Sequence, residues 1–351
     1  MKSTAVVILN WNGRNFLEKF LPSVMDFSLK DADVFIIDNN SEDDSLVFLR
    51  NNFPEIEIIR TGRNLGFAGG YNEGLRKLKE SNKTNMYYEY YMLLNSDVEV
   101  TPGWLKPLVT LMQNDKSTAA CQPKMLNFNI RDEFEYAGAA GGYIDKYGYP
   151  FCRGRIFNQY EKDRDQYNDY REIFWASGAC LFIRADLFHD AGGFDPDFFA
   201  HMEEIDLCWR LKNRGYKIMY CPGSVIYHIG AGTLEKVNPK KTYYNFRNNL
   251  ILVCKNHAKK YWAIKIIIRM VLDSVAALKF LFADGITHFS AVLKAHFSFY
   301  RSFPKTWRKR KILQKEIKWY ATTGVYNGSV VAEFYLKGRK RFWDLDVRKF
   351  L

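Results

Sequence analysis

Short apolar runs alternate with amphipathic stretches along the first 125 residues of this 351-residue chain. Runs of β-branched and aromatic residues predict four strands, at residues 5–9, 34–37, 56–59 and 90–94. The stretches between them repeat apolar residues at helical spacing and predict three helices, at residues 15–27, 43–52 and 68–79. This alternation predicts an α/β fold in which helices cover both faces of a mostly parallel sheet.

Polar residues follow each of the four predicted strands. The strand ends read Asn10-Trp11-Asn12, Asp38-Asn39-Asn40, Arg60 to Asn64, and Asn95-Ser96-Asp97. In doubly wound folds the ligand binds at the carboxyl ends of the strands, so these residues are candidates for a binding site. Asn, Asp and Gly are also common in turns and helix caps, which alone explains any one strand end. A glycine-rich segment, residues 64–72, opens the third helix, where backbone N–H groups are expected to approach a phosphate.

The pattern changes beyond residue 125. Residues 125–172 predict an irregular excursion that includes a hairpin. Order returns with a strand at 175–183, a short helix at 186–191, a helix at 198–214 that Gly215 ends, and short strands at 217–221 and 224–228. Beyond about residue 240 helical periodicity dominates, and no further alternation of strands and loops is expected.

Composition supports a packed globular chain, with 47% hydrophobic and 16% aromatic residues. Its length is typical of roughly two domains. The six cysteines are 13 to 33 residues apart without a CxxC pair, which argues against a zinc ribbon or a disulfide scaffold and favours a reducing compartment. The first apolar run is too short for the core of an export signal.

The formal net charge of +12 is unevenly distributed. Residues 1–240 hold 28 Lys and Arg against 33 Asp and Glu, whereas residues 241–351 hold 23 against 6. We therefore expect a body, residues 1–240, that carries the chemistry, and a helical, basic C-terminal region, residues 241–351, that meets a polyanionic surface.

Two separate residues are candidate metal ligands. Asp97 follows a buried-looking strand, where a carboxylate can hold a divalent cation, although Asn95-Ser96-Asp97 also has the composition of a turn. His228 ends an apolar strand. It would join a metal site only if Asp97 lies close to it in space, and is otherwise a structural residue.

Three carboxylates, those of Glu203, Glu204 and Asp206, fall within one predicted helical turn. By spacing, Glu203 and Asp206 share a face and Asp206 can pair with Arg210. This leaves Glu204 to face a cleft and accept a proton. The alternative is an ordinary acidic first turn with a surface ion pair.

Six short motifs occur together in one order along residues 3–232. They are 8–12, 37–41, 64–70, 94–97, 177–179, and Phe198-Phe199 leading to Glu203-Glu204-Ile205-Asp206-Leu207 and Arg210. In order and approximate spacing the set resembles family 2 glycosyltransferases of the GT-A fold, which is Rossmann-like. Within that family the chain is most similar to the rhamnosyltransferase-type branch, which builds bacterial surface polysaccharides.

The resemblance implies transfer of a sugar from a nucleotide-diphosphate donor, dTDP- or UDP-linked, with Mg²⁺ or Mn²⁺. Asn95-Ser96-Asp97 occupies the place of the family's DxD motif, which makes Asp97 the implied metal ligand, with hydrogen-bonding support from Asn95 and Ser96. His228 matches a further metal ligand of some members. The nucleotide pocket would be lined by Asn10, Asn12, Asp38, Arg63 and Asn64.

The resemblance also assigns the catalytic base. Glu203-Glu204 stands where the family usually has Glu-Asp, whose second member is the base, so Glu204 is the implied base and Glu203 the alternative. Trp175, beside Ser177 and Gly178, is expected to line the sugar pocket, because an aromatic face suits a sugar ring. A position of Trp175 in the core is equally compatible with the sequence.

The most apolar stretch of the chain is residues 261–283, but charged residues interrupt it. No run of 18 apolar residues occurs, which disfavours a spanning helix. Lys265, Arg269 and Asp273 recur every four residues and form a narrow polar stripe on a largely apolar helix.

Two basic clusters follow, at residues 307–311 and 337–341. Together with the apolar helix they predict that residues 261–341 meet an anionic membrane surface. The competing interpretations are helices that pack on the body, and a patch that binds nucleic acid.

The sequence thus predicts an inverting, metal-dependent glycosyltransferase of bacterial surface polysaccharide synthesis. It would move a sugar, with rhamnose a candidate, to a saccharide or lipid-linked acceptor, in the cytoplasm and peripherally on the inner face of the plasma membrane. No nucleic-acid partner is expected. Two alternatives stay open: a non-catalytic basic scaffold or nucleic-acid-binding protein, and a same-fold sugar nucleotidyltransferase. The latter needs a phosphate-binding Gly-rich loop where this chain has Asn10-Trp11-Asn12-Gly13.

Overall fold

The structure, a computed structural model, describes residues 2–81, 88–230, 238–258 and 260–351. The elements up to residue 127 are β1 (Thr4–Asn10), α1 (Arg14–Ser28), β2 (Ala32–Asp38), α2 (Ser45–Asn52), β3 (Glu57–Arg60), α3 (Gly66–Glu80), β4 (Tyr90–Asn95), β5 (Val98–Val100), α4 (Leu105–Asn114) and β6 (Thr118–Asn127). The strands and helices predicted before residue 95 are confirmed, each to within two residues at its ends.

Short strands fill the middle of the chain, and helices dominate its last third. The middle elements are β7 (Gly142–Asp145), β8 (Pro150–Cys152), β9 (Arg155–Ile156), β10 (Gln159–Tyr160), β11 (Arg171–Ile173), β12 (Cys180–Arg184), α5 (Ala185–Asp190), α6 (Glu203–Asn213) and β13 (Lys217–His228). The last elements are α7 (Pro239–Asn256), α8 (Trp262–Ala283), α9 (Ile286–Glu316), β14 (Val325–Tyr326) and α10 (Val330–Tyr335). Three short 3₁₀ turns, at Pro196–Phe198, Phe342–Asp344 and Val347–Lys349, complete the described elements.

A large central sheet has the strand order β11-β13-β6-β12-β4-β1-β2-β3, with β5 paired to β13. β4, β1, β2 and β3 run parallel, while β12 is antiparallel to both of its neighbours. Alternate side chains of β1 face opposite layers: Val6 and Ile8 pack towards α1, α2 and α4, whereas Val7 packs towards α3. Helices therefore cover both faces of the sheet, as the alternation predicts.

Three elements differ from the predicted pattern. The strand expected at 175–183 is confined to β12, and the helix expected from residue 198 begins only at Glu203, after a 3₁₀ turn and a loop. The two short strands expected after residue 216 are one strand, β13, whose register shifts between Cys221 and Val225. Pro222 lies in that bulge, where its missing N–H removes no ladder bond.

The excursion at 125–172 is more ordered than predicted. It contributes four strands to a second sheet of order β10-β9-β8-β7-β14. The fifth strand, β14, comes from the C-terminal region and pairs in parallel with β7, Val325 opposite Ile144. Helices dominate beyond residue 240, as predicted, but β14 was not foreseen there, because a two-residue strand has no periodicity of its own.

The C-terminal helices pack on the body. Leu250, Leu252 and Phe299 belong to the same hydrophobic cluster as core residues of the central sheet. Arg310 of α9 is buried and donates to the carbonyl oxygens of Cys254 and His257 over 2.7 and 2.8 Å. The segment before α7, residues 231–237, lies outside the described residues. It includes residues 231 and 232, the last two of the stretch 3–232 that carries the motifs.

Candidate active site

The ends of three parallel strands lie side by side at one edge of the central sheet. The strand register places Asn10 opposite Asp38, and Asp38 opposite Arg60. Asn10 and Asp38 are fully buried. One Asp38 carboxylate oxygen, Oδ2, has no hydrogen-bond partner among the described residues and lies 3.9 Å from Arg60 Nε. The site therefore offers a buried acceptor oxygen of the kind that reads a nucleotide's ribose or base.

Ser41 joins the first two strand ends. Its hydroxyl oxygen accepts from Asn10 Nδ2 over 3.1 Å and from the Asn12 backbone N–H over 3.0 Å. Asn12 has a φ of 52°, and its side-chain oxygen accepts from the Glu42 N–H over 2.7 Å. The Asn12 side chain thus shapes the loop, and its expected role in lining the nucleotide pocket stays a prediction.

Asn39 organises the loop that contains Arg63 and Asn64. Its side chain accepts from the Leu65 N–H over 3.0 Å and donates to the Asn64 side-chain oxygen over 3.1 Å. Arg63 and Asn64 themselves are exposed. The sequence assigned no role to Asn39. The signal that singles it out is a buried amide at a strand end, which must find partners for its donors and acceptors.

Asp97 and His228 come together in space, which is the condition set for a joint metal site. β5 pairs antiparallel with the end of β13, and this pairing leaves Asp97 Oδ1 3.1 Å from His228 Nε2. The other imidazole nitrogen, Nδ1, lies 3.0 Å from Oε1 of Glu135. All three side chains are buried.

The two carboxylates determine the charge of His228. Burial opposes the charged imidazolium, but the adjacent Asp97 and Glu135 outweigh it and raise the pKa of His228 well above its ordinary value. Sequence reasoning missed Glu135, which lies in the segment read as irregular and has no spacing that links it to His228.

Asp97 offers a carboxylate to a cation that also binds phosphate oxygens, and His228 would join it as a neutral ligand once the cation displaces the proton between the two side chains. The described residues contain no group of three or more His, Cys, Asp or Glu side chains arranged to hold a metal ion. A divalent cation would therefore take further ligands from water or a diphosphate, which is how Mg²⁺ usually binds. Ser96 and Asn95 flank the pair: the Asn95 N–H donates to the Ala179 carbonyl over 3.0 Å, and Ser96 lies beside Gly13.

The acidic residues of α6 are not an ordinary surface turn, because Glu203 and Asp206 are buried. The expected pair of Asp206 and Arg210 is present, with 2.9 Å between carboxylate oxygen and guanidinium Nε. Lys255 of α7 also contacts Asp206, over 2.9 Å, and pairs with Asp195. The alternative of a surface ion pair is therefore wrong.

Glu204 has the environment of a general base. Burial raises its pKa to about 7, and one of its carboxylate oxygens has no hydrogen-bond partner among the described residues. Gly178 lies beside it, since a Cβ added at Gly178 would come within 3.6 Å of Glu204 Cβ. The pKa of Glu203 is raised well above its ordinary value by deeper burial and by the neighbouring Glu204 charge. The two neighbouring carboxyls titrate together, and burial favours the protonated form more strongly at Glu203 than at Glu204.

The loop before α6 has an unusual backbone, with positive φ at Phe199, His201 and Met202. Two residues of α7 hold it. The buried Asn248 amide donates to three loop carbonyls, those of Phe198, Ala200 and His201, over 2.7 to 3.0 Å. The Arg247 guanidinium donates to the carbonyls of Asp197 and Phe198 over 2.9 and 3.0 Å. The strained loop that leads into Glu203 is thus fixed from the C-terminal region.

The start of α3 contacts the same loop. The Phe67 and Ala68 N–H groups donate to the Phe199 carbonyl over 2.8 and 3.3 Å, so the expectation that N–H groups here approach a phosphate is wrong for these two. Gly66 has a φ of 70°, and a Cβ there would come within 2.6 Å of the Phe199 ring. The glycine-rich segment therefore serves close packing against the loop before α6.

Trp175 occupies the core. It is buried, its indole N–H donates to the Tyr143 carbonyl over 2.9 Å, and its ring lies against Gly142. The sequence was compatible with two positions of Trp175, in the core or in the sugar pocket, and the structure places it in the core. A contact of Trp175 with a sugar stays a prediction.

Comparison with known proteins identifies the family of the chain. The family model described as Glycosyl transferase family 2 matches residues 5–192. Among curated proteins, the chain is 26% identical over 263 residues to an N-acetylglucosaminyl-diphospho-decaprenol L-rhamnosyltransferase of Mycobacterium tuberculosis, covering 72% of this chain and 84% of that protein. It is 23% identical to the low-salt glycan biosynthesis hexosyltransferase Agl10 of Haloferax volcanii, covering 70% and 74%.

Solved structures share the fold. The crystal structure of GalNAc-T7 with UDP, GalNAc and Mn²⁺ matches with a TM-score of 0.57 at 16% identity, covering 87% of this chain and 58% of that one. The mannosyltransferase PcManGT of Pyrobaculum calidifontis, in complex with GDP-Man and Mn²⁺, matches with a TM-score of 0.50 at 13% identity, covering 95% and 88%. The fold is the GT-A fold expected from the motifs, and the chain is a glycosyltransferase that belongs to glycosyl transferase family 2.

Proposed function

We propose that the protein is an inverting, metal-dependent glycosyltransferase in which Glu204 is the catalytic base. The observation that carries this proposal is the Glu204 carboxyl group, which has a pKa of about 7 and one oxygen without a hydrogen-bond partner among the described residues. A base with that pKa is ionised in part at neutral pH and still accepts a proton readily. Glu203, whose pKa burial raises further, is the weaker candidate.

The reaction is a single displacement. Glu204 takes the proton of an acceptor hydroxyl as that oxygen forms a bond to the anomeric carbon of the donor sugar. The bond from the anomeric carbon to the diphosphate oxygen breaks on the opposite face, so the configuration inverts and the nucleoside diphosphate leaves with the bonding electrons. Asp97 and His228 would hold a divalent cation, Mg²⁺ or Mn²⁺, which supplies charge neutralisation at the diphosphate.

The donor is a nucleotide-diphosphate sugar, dTDP- or UDP-linked. Asp38 Oδ2 and Asn10 Oδ1 are buried at the same edge and have no hydrogen-bond partner among the described residues, and the Asp38 oxygen would accept from the ribose or base. Structural relatives with UDP or GDP-Man support the donor class. A saccharide or lipid-linked acceptor, and rhamnose as one candidate sugar, follow from the similarity to the mycobacterial rhamnosyltransferase.

We further propose that the protein works in the cytoplasm, peripherally on the inner face of the plasma membrane, in surface polysaccharide synthesis. The support is the relative that acts on a decaprenol-linked saccharide, together with the basic C-terminal region. No helix among the described residues has both the length and the apolar character to cross a bilayer.

A donor panel tests the function. Purified protein is assayed with dTDP- and UDP-sugars for metal-dependent thermal stabilisation, and then for transfer or donor hydrolysis with Mn²⁺. Activity should require the cation and fall by about 10²-fold or more in Asp97→Ala and Glu204→Gln. Glu55→Gln, an exposed carboxylate on the body, is the matched control and should keep full activity. Unchanged turnover in both site variants would refute the assignment.

A further inference from the structure

Helix α8 is turned with its charged stripe towards the protein. Arg269 and Asp273, two of the three residues in that stripe, are buried. The Arg269 guanidinium lies 3.3 Å from the centre of the Tyr149 ring, and the Tyr149 hydroxyl donates to Asp273 over 3.3 Å. The polar side of α8 therefore packs on the turn between β7 and β8.

The opposite side of α8 is apolar and exposed. Its six outward side chains follow one another at intervals of three or four residues, and each is between 52% and 86% exposed. They are Ile264, Ile267, Val271, Val275, Leu278 and Phe282. An amphipathic helix on a water-facing surface has the reverse arrangement, with its apolar side on the core.

Helix α9 extends the apolar surface. It packs against α8 after the short turn at Asp284 and Gly285, and its first half has four apolar side chains that are between 52% and 70% exposed. They are Ile286, Leu293, Phe297 and Tyr300. We call these ten side chains of α8 and α9 the outer face. Exposed rows of large apolar side chains on two helices that pack together are typical of an interaction site.

Basic residues of α9 border the outer face. Lys294, Arg301 and Arg308 are exposed, and none of them pairs with a carboxylate among the described residues. They are seven residues apart, which places them on one side of the helix. Lys294 and Arg301 directly follow Leu293 and Tyr300 of the outer face, so this side borders the apolar row. An apolar surface with a basic border is complementary to anionic phospholipid headgroups above an acyl interior.

We propose that the outer face docks on an anionic phospholipid bilayer, with its apolar side chains inserted below the headgroups and the three basic residues at the phosphates. This surface lies within residues 261–341, which the sequence indicates, but most of the basic residues that the sequence singled out do not border it. Lys309 and Arg310 of the first basic cluster bind Asp195 and backbone carbonyls inside the protein. Lys337 and Arg339 of the second pair with Glu333. Insertion of the apolar outer face, rather than those clusters, provides the main attachment.

Vesicle flotation of the full chain tests the proposal. The protein should float with vesicles of phosphatidylcholine and phosphatidylglycerol, and less with phosphatidylcholine alone. Replacing Ile267, Val271 and Val275 together by Ser should weaken partitioning by about 100-fold. The matched control replaces three exposed apolar residues of the body by Ser, Leu29, Val47 and Ile130, and should float like the wild type.

A second set of variants separates charge from insertion. Lys294→Ala, Arg301→Ala and Arg308→Ala together should weaken binding to phosphatidylglycerol vesicles by roughly 100-fold and leave binding to phosphatidylcholine unchanged. The control removes three exposed basic residues of the body, Lys30, Arg50 and Lys106, and should change neither. All variants replace exposed side chains, and an unchanged thermal midpoint confirms that they fold.

Two results would overturn the proposal. One is flotation of the Ser variant at the wild-type level. The other is a protein that does not float but forms a lipid-independent dimer, measured by sedimentation, which the Ser variant dissociates; the outer face would then bind a second copy of the chain. Sugar transfer to a water-soluble acceptor is measured on the same variants, so loss of flotation with intact transfer separates this proposal from the catalytic one.

Discussion

The side-chain amide of Asn248 donates to the His201 carbonyl over 2.7 Å, two residues before helix α6 begins at Glu203. Asn248 lies on α7, in the C-terminal region, and is fully buried. The loop that it holds has positive φ at His201 and Met202, a backbone geometry that costs free energy and persists only where surrounding contacts enforce it. The position of the proposed base therefore depends on a residue beyond the sheet.

Asn248→Ala should lower kcat by about 100-fold with little change in the KM for the donor, because a relaxed loop misplaces Glu204. The loop carbonyls would also lose their buried donor, which costs roughly 2 kcal/mol of unfolding free energy. Asn249→Ala is the matched control: its amide is also buried and donates to the Gly148 carbonyl over 2.7 Å, away from the loop. Steady-state kinetics and thermal unfolding compare the two. Equal losses of kcat would mean that Asn248 acts through stability alone.

The pH dependence should report Glu204. Since its pKa is about 7, the carboxylate form is lost as the pH falls, so kcat/KM should decline about tenfold per pH unit below 7 and level off above it. Glu203→Gln should leave that inflection in place. A profile without an inflection between pH 6 and about 8 would count against Glu204 as the base.

Glu204→Gln should also change how stability depends on pH. Burial raises the carboxyl pKa in the folded state, so the protonated form stabilises the fold fully below the unfolded pKa, and this contribution is lost as the pH rises through about 7. The Gln variant lacks that loss. Its thermal midpoint relative to the wild type should therefore rise between pH 5 and about 8, while activity stays low. A constant difference across that range would show that Glu204 is solvated.

Glu135→Gln should weaken Mn²⁺ binding. In metal sites a carboxylate behind the imidazole orients the ring and strengthens the ligand, and its loss typically costs about 10- to 100-fold in affinity. Glu135 lies 3.0 Å from His228 Nδ1. Mn²⁺ titration followed by electron paramagnetic resonance, with a nucleoside diphosphate present, measures the effect without turnover. Glu133→Gln, two residues away, is the control, and an equal Kd in both variants would remove Glu135 from the site.

Gly66→Ala should be more damaging than Gly62→Ala. Both glycines have positive φ, but a Cβ at Gly62 meets no heavy atom within 4 Å, whereas one at Gly66 meets Phe199. Gly62→Ala should thus cost about 1 kcal/mol from backbone strain alone. Gly66→Ala adds displacement of the loop and should lower kcat as well. Denaturant unfolding and kinetics on the pair separate the two effects; similar kcat values would show that the loop tolerates the shift.

The sequence predicts local features well where periodicity is strong. The first four strands and three helices, and the polar residues at the strand ends, follow from it because each apolar run reads directly as a buried strand. Asp97 and His228 were each candidates. Their meeting depends on the pairing of β5 with β13, which joins residues far apart in the chain and has no local signature.

Tertiary contacts account for what the sequence did not reveal. Glu135 and Asn248 contribute through contacts to segments that are distant in the chain, and neither belongs to a spacing pattern. The orientation of α8 is a similar case: the period of Arg269 and Asp273 is visible, but only packing on Tyr149 shows that this stripe faces inward. The side of an amphipathic helix that meets water is decided by the whole molecule.

The pairing of β14 with β7 has a consequence for how the protein is made. The partner strand of β7 is supplied by Val325 and Tyr326, which leave the ribosome long after residues 142–145 have been synthesised. Until then the nascent polypeptide carries an open strand edge at β7, and such edges invite mispairing with other chains. Ribosome stalling or premature stop codons between residues 146 and 324 should therefore yield aggregation-prone fragments instead of shortened enzymes.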